Sequence, residues 1–379
     1  MNFKQHRAFQ VVVSAFFTGF LLFVFSRNSE QTSWPHGFSH LSRNTVDDSV
    51  LAHIQNQTLG FEHVYAIGFK ERTDKRDFLT LAASVTGFKV EWQEGVRPDE
   101  LLQKAMPNGA NLNDTEPSII AAWRAHMNTL ISVIENGYST ALIFEDDADW
   151  DVNIKSQLRE FARGLHALQE KEKVSKEAPY GTDWDVLWIG GCGTGPDKNQ
   201  TRFYAIPDDP TNPPARAQST LGGPLKSWTE QFSQDSTRFI FKAESGICTI
   251  GYAITRRGAQ KILAALAIDH LGQPFDNALS TLCGGVGDRR RIECYAPFPQ
   301  LVNTHRRAGS SSRDSQIVAN GDDTWHDEES FAIVYSAKRN IHRLVAGEET
   351  VYSQYGEMSW SQEELSMKQF AYPEGHLVT

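Results

Sequence analysis

The sequence predicts an α/β fold, a mostly parallel sheet flanked by helices. Three observations carry that expectation. Apolar runs of strand length recur at residues 63–69, 141–144 and 184–191. Between the first two, Ile119, Ile120, Trp123, Met127, Leu130, Ile131 and Ile134 recur with helical spacing. The second run passes directly into Glu145-Asp146-Asp147. A strand buried on both faces reads as such a run, and sites in these sheets lie beyond the strands' carboxyl ends.

Composition sets the class. The chain has 379 residues, 40% hydrophobic and 11% aromatic, enough for a large core. Its net charge of −10 and pI of 5.7 argue against a nucleic-acid partner. Lys4 and Arg7 precede an uncharged stretch over 8–25, and Arg27 follows it. At about 18 residues that stretch is near the lower limit for spanning a bilayer. It reads as an uncleaved anchor with residues 1–7 in the cytosol, because no small-x-small cleavage pattern follows. A cleaved signal peptide is the alternative. Residues 26–59 are polar and read as a stem, and 60–379 as the globular domain. Asn56, Asn113 and Asn199 open N-glycosylation sequons. Cys192, Cys248, Cys283 and Cys294 allow two disulfides in three pairings.

Taken in order, the first strand (63–69) leads to a charged stretch in which Thr73 or Asp74 can cap a helix carrying Phe78, Leu79, Leu81 and Ala82. Arg72 and Arg76 stand at the strand's exit, where they can meet phosphates or remain solvated. Residues 88–92 form a second strand. Pro117 suits the first turn of the next helix and Asn136-Gly137 its end. Arg124 and His126 lie off its main apolar stripe. A helix and a charged connection follow from 149 to about 176. The glycines after Ile189 either turn the chain or admit a ligand to the backbone. Residues 195–240, rich in Pro, Gly, Ser and Asp, read as a long loop or lid. Residues 244–255 are strand-like, 256–263 begin a helix, and Asp276 heads another. A last strand begins at Ile292 and runs to His305, and 330–343 looks helical.

Packed carboxylates repel unless a positive charge sits among them. A hard divalent cation, Mg²⁺ or Mn²⁺, suits oxygen ligands of this kind. A solvated acidic turn is the alternative.

The blocks resemble glycosyltransferase family 25 over roughly 61–317. Arg72 and Arg76 after the first strand, Ala125-His126, Leu142 to Asp147, Trp184 to Gly190 and Gly251 to Ala259 carry the resemblance. The chain departs from the family pattern at Ile67-Gly68-Phe69 and at Ala125. Its insertion and C-terminal extension are similar to the fungal branch. The resemblance implies a GT-A-like (Rossmann-like) fold, a UDP-sugar or other nucleotide-sugar donor, Mn²⁺ or Mg²⁺, and inverting hexose transfer, often of galactose, to a glycan or glycoprotein. It implies Asp147 as metal ligand; His305, by its place after the last strand, either completes the shell or is a structural or solvated histidine. Glu145, Asp146, Arg72, Arg76 and His126 would bind donor, and Asp276 or secondarily Glu244 would be the base. The setting expected is a Golgi or ER membrane, with the catalytic domain lumenal. A non-catalytic sugar-nucleotide-binding homologue and a metal-dependent phosphoesterase are the competing classes. The second would need a further metal and more His and Asp ligands.

Overall fold

The computed structural model describes residues 46–111, 116–169, 175–317, 323–356 and 361–379. The tail, the anchor, the stem up to 45 and the Asn113 sequon lie outside the described residues. Among the described residues, no helix is long and apolar enough to cross a membrane. The packed unit begins by Val46, ahead of the expected boundary at 60. Val50, Leu51 and Ile54, on and just after the short helix α1 (Asp48–Leu51), are buried in the core.

The central elements are β1 (His63–Gly68), α2 (Thr73–Val85), β2 (Glu91–Glu94), α3 (Pro117–Glu135), β3 (Thr140–Glu145), β4 (Ala148–Trp150) and α4 (Ile154–Leu168). Then come β5 (Val186–Gly190), β6 (Gly193–Pro196), β7 (Phe203–Ile206), α5 (Lys226–Thr229), β8 (Arg238–Ile247), β9 (Gly251–Thr255), α6 (Arg256–Leu263), α7 (Phe275–Gly284), β10 (Cys294–Phe298) and β11 (Val302–Arg306). Short strands from β12 (Gly309–Ser310) to β17 (His376–Val378) and a helix, α8 (Ile341–Ala346), complete the fold.

The apolar runs are explained by cover on both faces. Along β3, Leu142 and Phe144 join a core with Leu79 of α2 and Leu158 of α4. Ala141 and Ile143 join a second core with Trp123 and Met127 of α3 and Leu279 of α7. Successive side chains of a strand point to opposite faces, so a sheet between two helical layers needs apolar residues at every position.

The sheet is mixed rather than mostly parallel. Its main path runs β17-β7-β8-β10-β5-β9-β3-β1-β2. β1 is parallel to β2 and β3, but β9 is antiparallel to both β3 and β5. The cause is the excursion from 192 to 248. Its two ends are joined by the Cys192–Cys248 disulfide at the carboxyl end of β5, so β9 starts there and runs back. The other disulfide is Cys283–Cys294.

Other expectations are corrected. The 195–240 stretch is not a structureless lid: it contains β7, α5 and the start of β8, and buries Trp228 and Phe232. A buried ion pair, Arg238 Nε to Asp209 Oδ2 at 2.7 Å, fastens it to β8. Residues 244–255 are two strands, turned at Cys248 with φ +59°. The second strand starts at Glu91, not Phe88. Neither Thr73 nor Asp74 caps α2; Arg72 occupies the N-cap position without a side-chain cap bond. Residues 331–340 form turns with a buried apolar cluster, and the helix begins only at Ile341. Gly190 packs strands rather than admitting a ligand. A Cβ there would meet Val302 Cβ at 2.7 Å and the Gly251 nitrogen at 3.0 Å.

Candidate active site

β3 ends at Glu145, and the Asp146-Asp147 turn reverses the chain into β4. The three carboxylates line a cleft of ≈ 680 Å³ together with the apolar Ile67, Phe69, Val96 and Ala122. Two adjoining chambers share its walls. One, of ≈ 420 Å³, takes Asp146, Asp147, Arg72, Lys75, His305 and Lys338. The other, of ≈ 830 Å³, takes Glu145, His126, Thr249 and Asp276.

Each acid has different company. Glu145 Oε1 accepts the Thr249 hydroxyl at 2.8 Å, with His126 Nε2 at 3.5 Å. Burial would raise its pKa, but the His126 and Thr249 contacts and the Lys75 charge outweigh burial and hold it below the ordinary range. Asp146 Oδ1 binds Lys75 Nζ at 2.6 Å. Asp147 Oδ1 is buried and has no hydrogen-bond partner among the described residues. Burial pushes Asp147 up to about 6; Glu145 and Asp146 add to the rise, and Lys75 and Lys338 oppose it. Burial also works against the Lys75 ammonium, but Asp147 and Asp146 hold it above the usual lysine range.

A cation fits this arrangement in one specific way. No group of three or more His, Cys, Asp or Glu side chains is placed to hold a metal among the described residues. The unpartnered buried oxygen of Asp147 is a natural ligand atom, with Asp146 beside it. Ions such as Mg²⁺ are held by one or two carboxylates plus substrate phosphates and water, and Asp146 and Asp147 match the protein's share of such a set.

The remaining expected residues divide. His126 is buried, with Nδ1 3.1 Å from the Tyr252 hydroxyl and its ring stacked on Phe275 at 4.5 Å. It lines both the cleft and the adjoining chamber, with Nε2 towards Glu145. His305 reaches the basic chamber, and its backbone N–H donates to the Asp147 carbonyl at 2.9 Å. Its Nδ1 is engaged with the Ser330 hydroxyl at 2.8 Å, and Nε2 lies 3.4 Å from Glu328. Burial lowers its pKa. Arg72 also lines that chamber, bound through two nitrogens to Asp74 and donating to the Arg313 carbonyl at 2.6 Å. Asp276 Oδ2 accepts the Cys248 N–H at 2.9 Å and faces the chamber of Glu145 and His126.

Two expectations fail. Arg76 turns away: its guanidinium lies 4.6 Å from the centre of the Trp92 ring, in an outer groove without any of the three acids. Glu244 is tied to Arg291 at 2.7 Å and lines none of the three chambers. Lys75 occupies the place expected of Arg76. Lys75, Leu79 and Ala82 are spaced i, i+4, i+7, so Lys75 continues the stripe by which α2 faces the core. That spacing was available in the sequence. Lys338 was not accessible to such reasoning, since it arrives from a turn near the far end of the chain.

Asp149, expected to open a helix, is instead fully buried in β4. It accepts the Ser330 hydroxyl at 2.6 Å and the Lys338 N–H at 3.2 Å, tying the C-terminal turn to the site.

No family model matches the chain. It is 22% identical over 258 residues to procollagen galactosyltransferase 1 of Danio rerio, covering 65% of this chain and 35% of that protein. The chain is thus a distant homologue of a protein of which it spans about a third. Among solved structures, the mannose-1-phosphate geranyltransferase from Thermus thermophilus aligns at 10% identity and a TM-score of 0.23. The alignment covers 62% of this chain and 72% of that one.

Proposed function

We propose that the chain is an inverting glycosyltransferase. It moves a hexose, galactose foremost, from a UDP-sugar to a hydroxyl of a glycan or glycoprotein. The observation that carries this reading is the convergence of Glu145, Asp146 and Asp147 with Lys75 in one cleft at the end of β3, in a distant homologue of a galactosyltransferase. Membership of glycosyltransferase family 25 belongs to the same proposal.

In the reaction, the acceptor oxygen bonds to the sugar's anomeric carbon. The bond from that carbon to the diphosphate breaks, its electron pair leaves on the phosphate oxygen, and the hydroxyl proton passes to a base. Asp147 and Asp146 would hold Mn²⁺ or Mg²⁺, with His305 beyond them. The cation's contribution is to neutralise the departing diphosphate. Glu145, kept ionised by Thr249 and His126, would orient the donor's hydroxyls. Asp276 is the proposed base: it lines the chamber beside Glu145, and the Cys248 and Asn277 N–H groups orient its two oxygens. Arg72 and Lys75 supply positive charge at the donor's phosphates.

A lumenal site in the Golgi or ER fits the pairing of all four cysteines in disulfides. Asn56 and Asn199 are both exposed. The test is turnover by the purified chain of UDP-galactose, UDP-glucose and GDP-mannose, with Mn²⁺ and with EDTA. Cation-dependent release or transfer of one sugar is expected. No turnover of any donor under any condition sinks the proposal.

A further inference from the structure

The chamber behind the Asp146-Asp147 wall lies between the start of α2, the end of β11 and the turn before α8. Six cations line it: Arg72, Lys75, Arg306, Arg307, Arg313 and Lys338. Only four carboxylates do so: Asp74, Asp146, Asp147 and Asp314. Three cations already have acidic partners. Arg72 holds Asp74, Lys75 holds Asp146, and Arg306 lies 3.6 Å from Asp314. The charged groups of Lys338, Arg307 and Arg313 make no hydrogen bond or ion pair with the described residues.

Lys338 is the telling member. It is only 3% exposed, and its Nζ sits 5.3 Å from the centre of the Phe78 ring. The Arg307 guanidinium lies 5.5 Å from the same ring. The Lys338 ammonium opens onto the chamber with no hydrogen-bond acceptor among the described residues, and only the through-space charges of Asp149, Asp147 and Asp146 balance it. The backbone holds it there, because the Lys338 N–H donates to Asp149 and the Ser336 hydroxyl does likewise. A multiply charged oxyanion would accept from Lys338 and Arg307 together.

We infer that this chamber is a phosphate site anchored by Lys338, and that it receives the diphosphate of the nucleotide donor. The anion chemistry stands on the chamber itself; only the source of the phosphates rests on the glycosyltransferase reading. In the reaction, Lys338 stabilises the charge that the broken bond leaves on the diphosphate oxygen.

The test is calorimetric titration of the purified chain with pyrophosphate, UDP and uridine, in EDTA so that protein cations alone are read. Pyrophosphate and UDP are expected to bind. Lys338→Met is expected to weaken both by about tenfold or more, the scale of a charge-assisted hydrogen bond, with uridine unchanged. Should that variant fail to fold, the double variant Arg307→Ala/Arg313→Ala changes only exposed side chains without acidic partners, and a loss of about threefold to tenfold is expected. The inference is overturned if the wild-type chain binds neither pyrophosphate nor UDP. It is equally overturned if the variants bind both within twofold of wild type, or lose uridine in equal measure. Lys338-dependent pyrophosphate binding without sugar transfer would keep the chamber and remove the enzyme reading. Transfer with an unaltered donor KM in the variants would do the reverse.

Discussion

Replacing Asp147 with asparagine removes a charge and keeps the shape, and its two effects should have opposite signs. The folded-state pKa of Asp147 is about 6, against an ordinary value of 3.8. A carboxyl with a raised folded pKa contributes stability that is fully present below its unfolded pKa and lost as pH rises through about 6. At pH 7.5 the folded chain therefore carries the whole penalty, about 3 kcal/mol for roughly two pKa units. The side chain is only partly buried, so water at the cleft mouth screens this to about 1–2 kcal/mol. Asp147→Asn should raise the thermal midpoint at pH 7.5 by roughly 2–3 °C. The gain should shrink towards zero below about pH 4. Sugar transfer should fall at least about 10²-fold, since the open oxygen that would grip a cation becomes a neutral amide. Calorimetric melting at pH 7.5 and 4, with a donor-turnover assay, measures both. Full turnover would remove Asp147 from the site. A midpoint lowered by several degrees would make its carboxylate structural instead.

Thr249→Val deletes the hydroxyl on Glu145 Oε1, so the Glu145 pKa should climb and the acid limb of the pH–activity profile move up, with kcat/KM down about tenfold; an unmoved profile would refute this role. Arg238→Met leaves Asp209 buried without its cation and should cost about 3–5 kcal/mol in denaturant unfolding. A loss under about 1 kcal/mol would mean that the pair does not fasten the 192–248 excursion. Burial pushes Asp151 up to about 7, against the N–H groups of Asn153 and Tyr335 that favour its charge. Its contribution to stability is present below 3.8 and lost as pH rises through 7. The melting temperature of Asp151→Asn should therefore decline less steeply than wild type between pH 5.5 and 8.5. Parallel curves would exclude it.

Much of the site could be read from the chain alone. The apolar tetrapeptide before Glu145 had to be a strand covered on both faces, and a strand delivers the residues after it to the sheet's edge. The stripe on α3 was equally plain, because helical spacing is local. The same local reading went wrong wherever a neighbour in space, rather than in sequence, decided the outcome. Arg72 and Arg76 seemed equivalent, yet the N-cap position of one and the Trp92 ring beside the other sent them to different surfaces. Glu244 looked like a free acid because Arg291 lies far from it in the sequence. Asp149 looked like the start of a helix because its partners, Ser330 and Lys338, come from the far end of the chain.

Sequence by itself determined that alternating helices and apolar strands would enclose a core and place Glu145, Asp146 and Asp147 together at a strand end. Those are consequences of periodicity and of chain connectivity over a few residues. Only the tertiary structure decided the direction of β9, the burial of Lys338 beside Asp147, and which oxygen was left without a partner. An apolar pentapeptide reads alike in either direction. Its orientation depends on where the preceding chain delivers it, here to the carboxyl end of β5 by the Cys192–Cys248 link. The charge of a carboxylate likewise depends on how much water and which cations surround it, and those come from segments that meet only when the chain has folded.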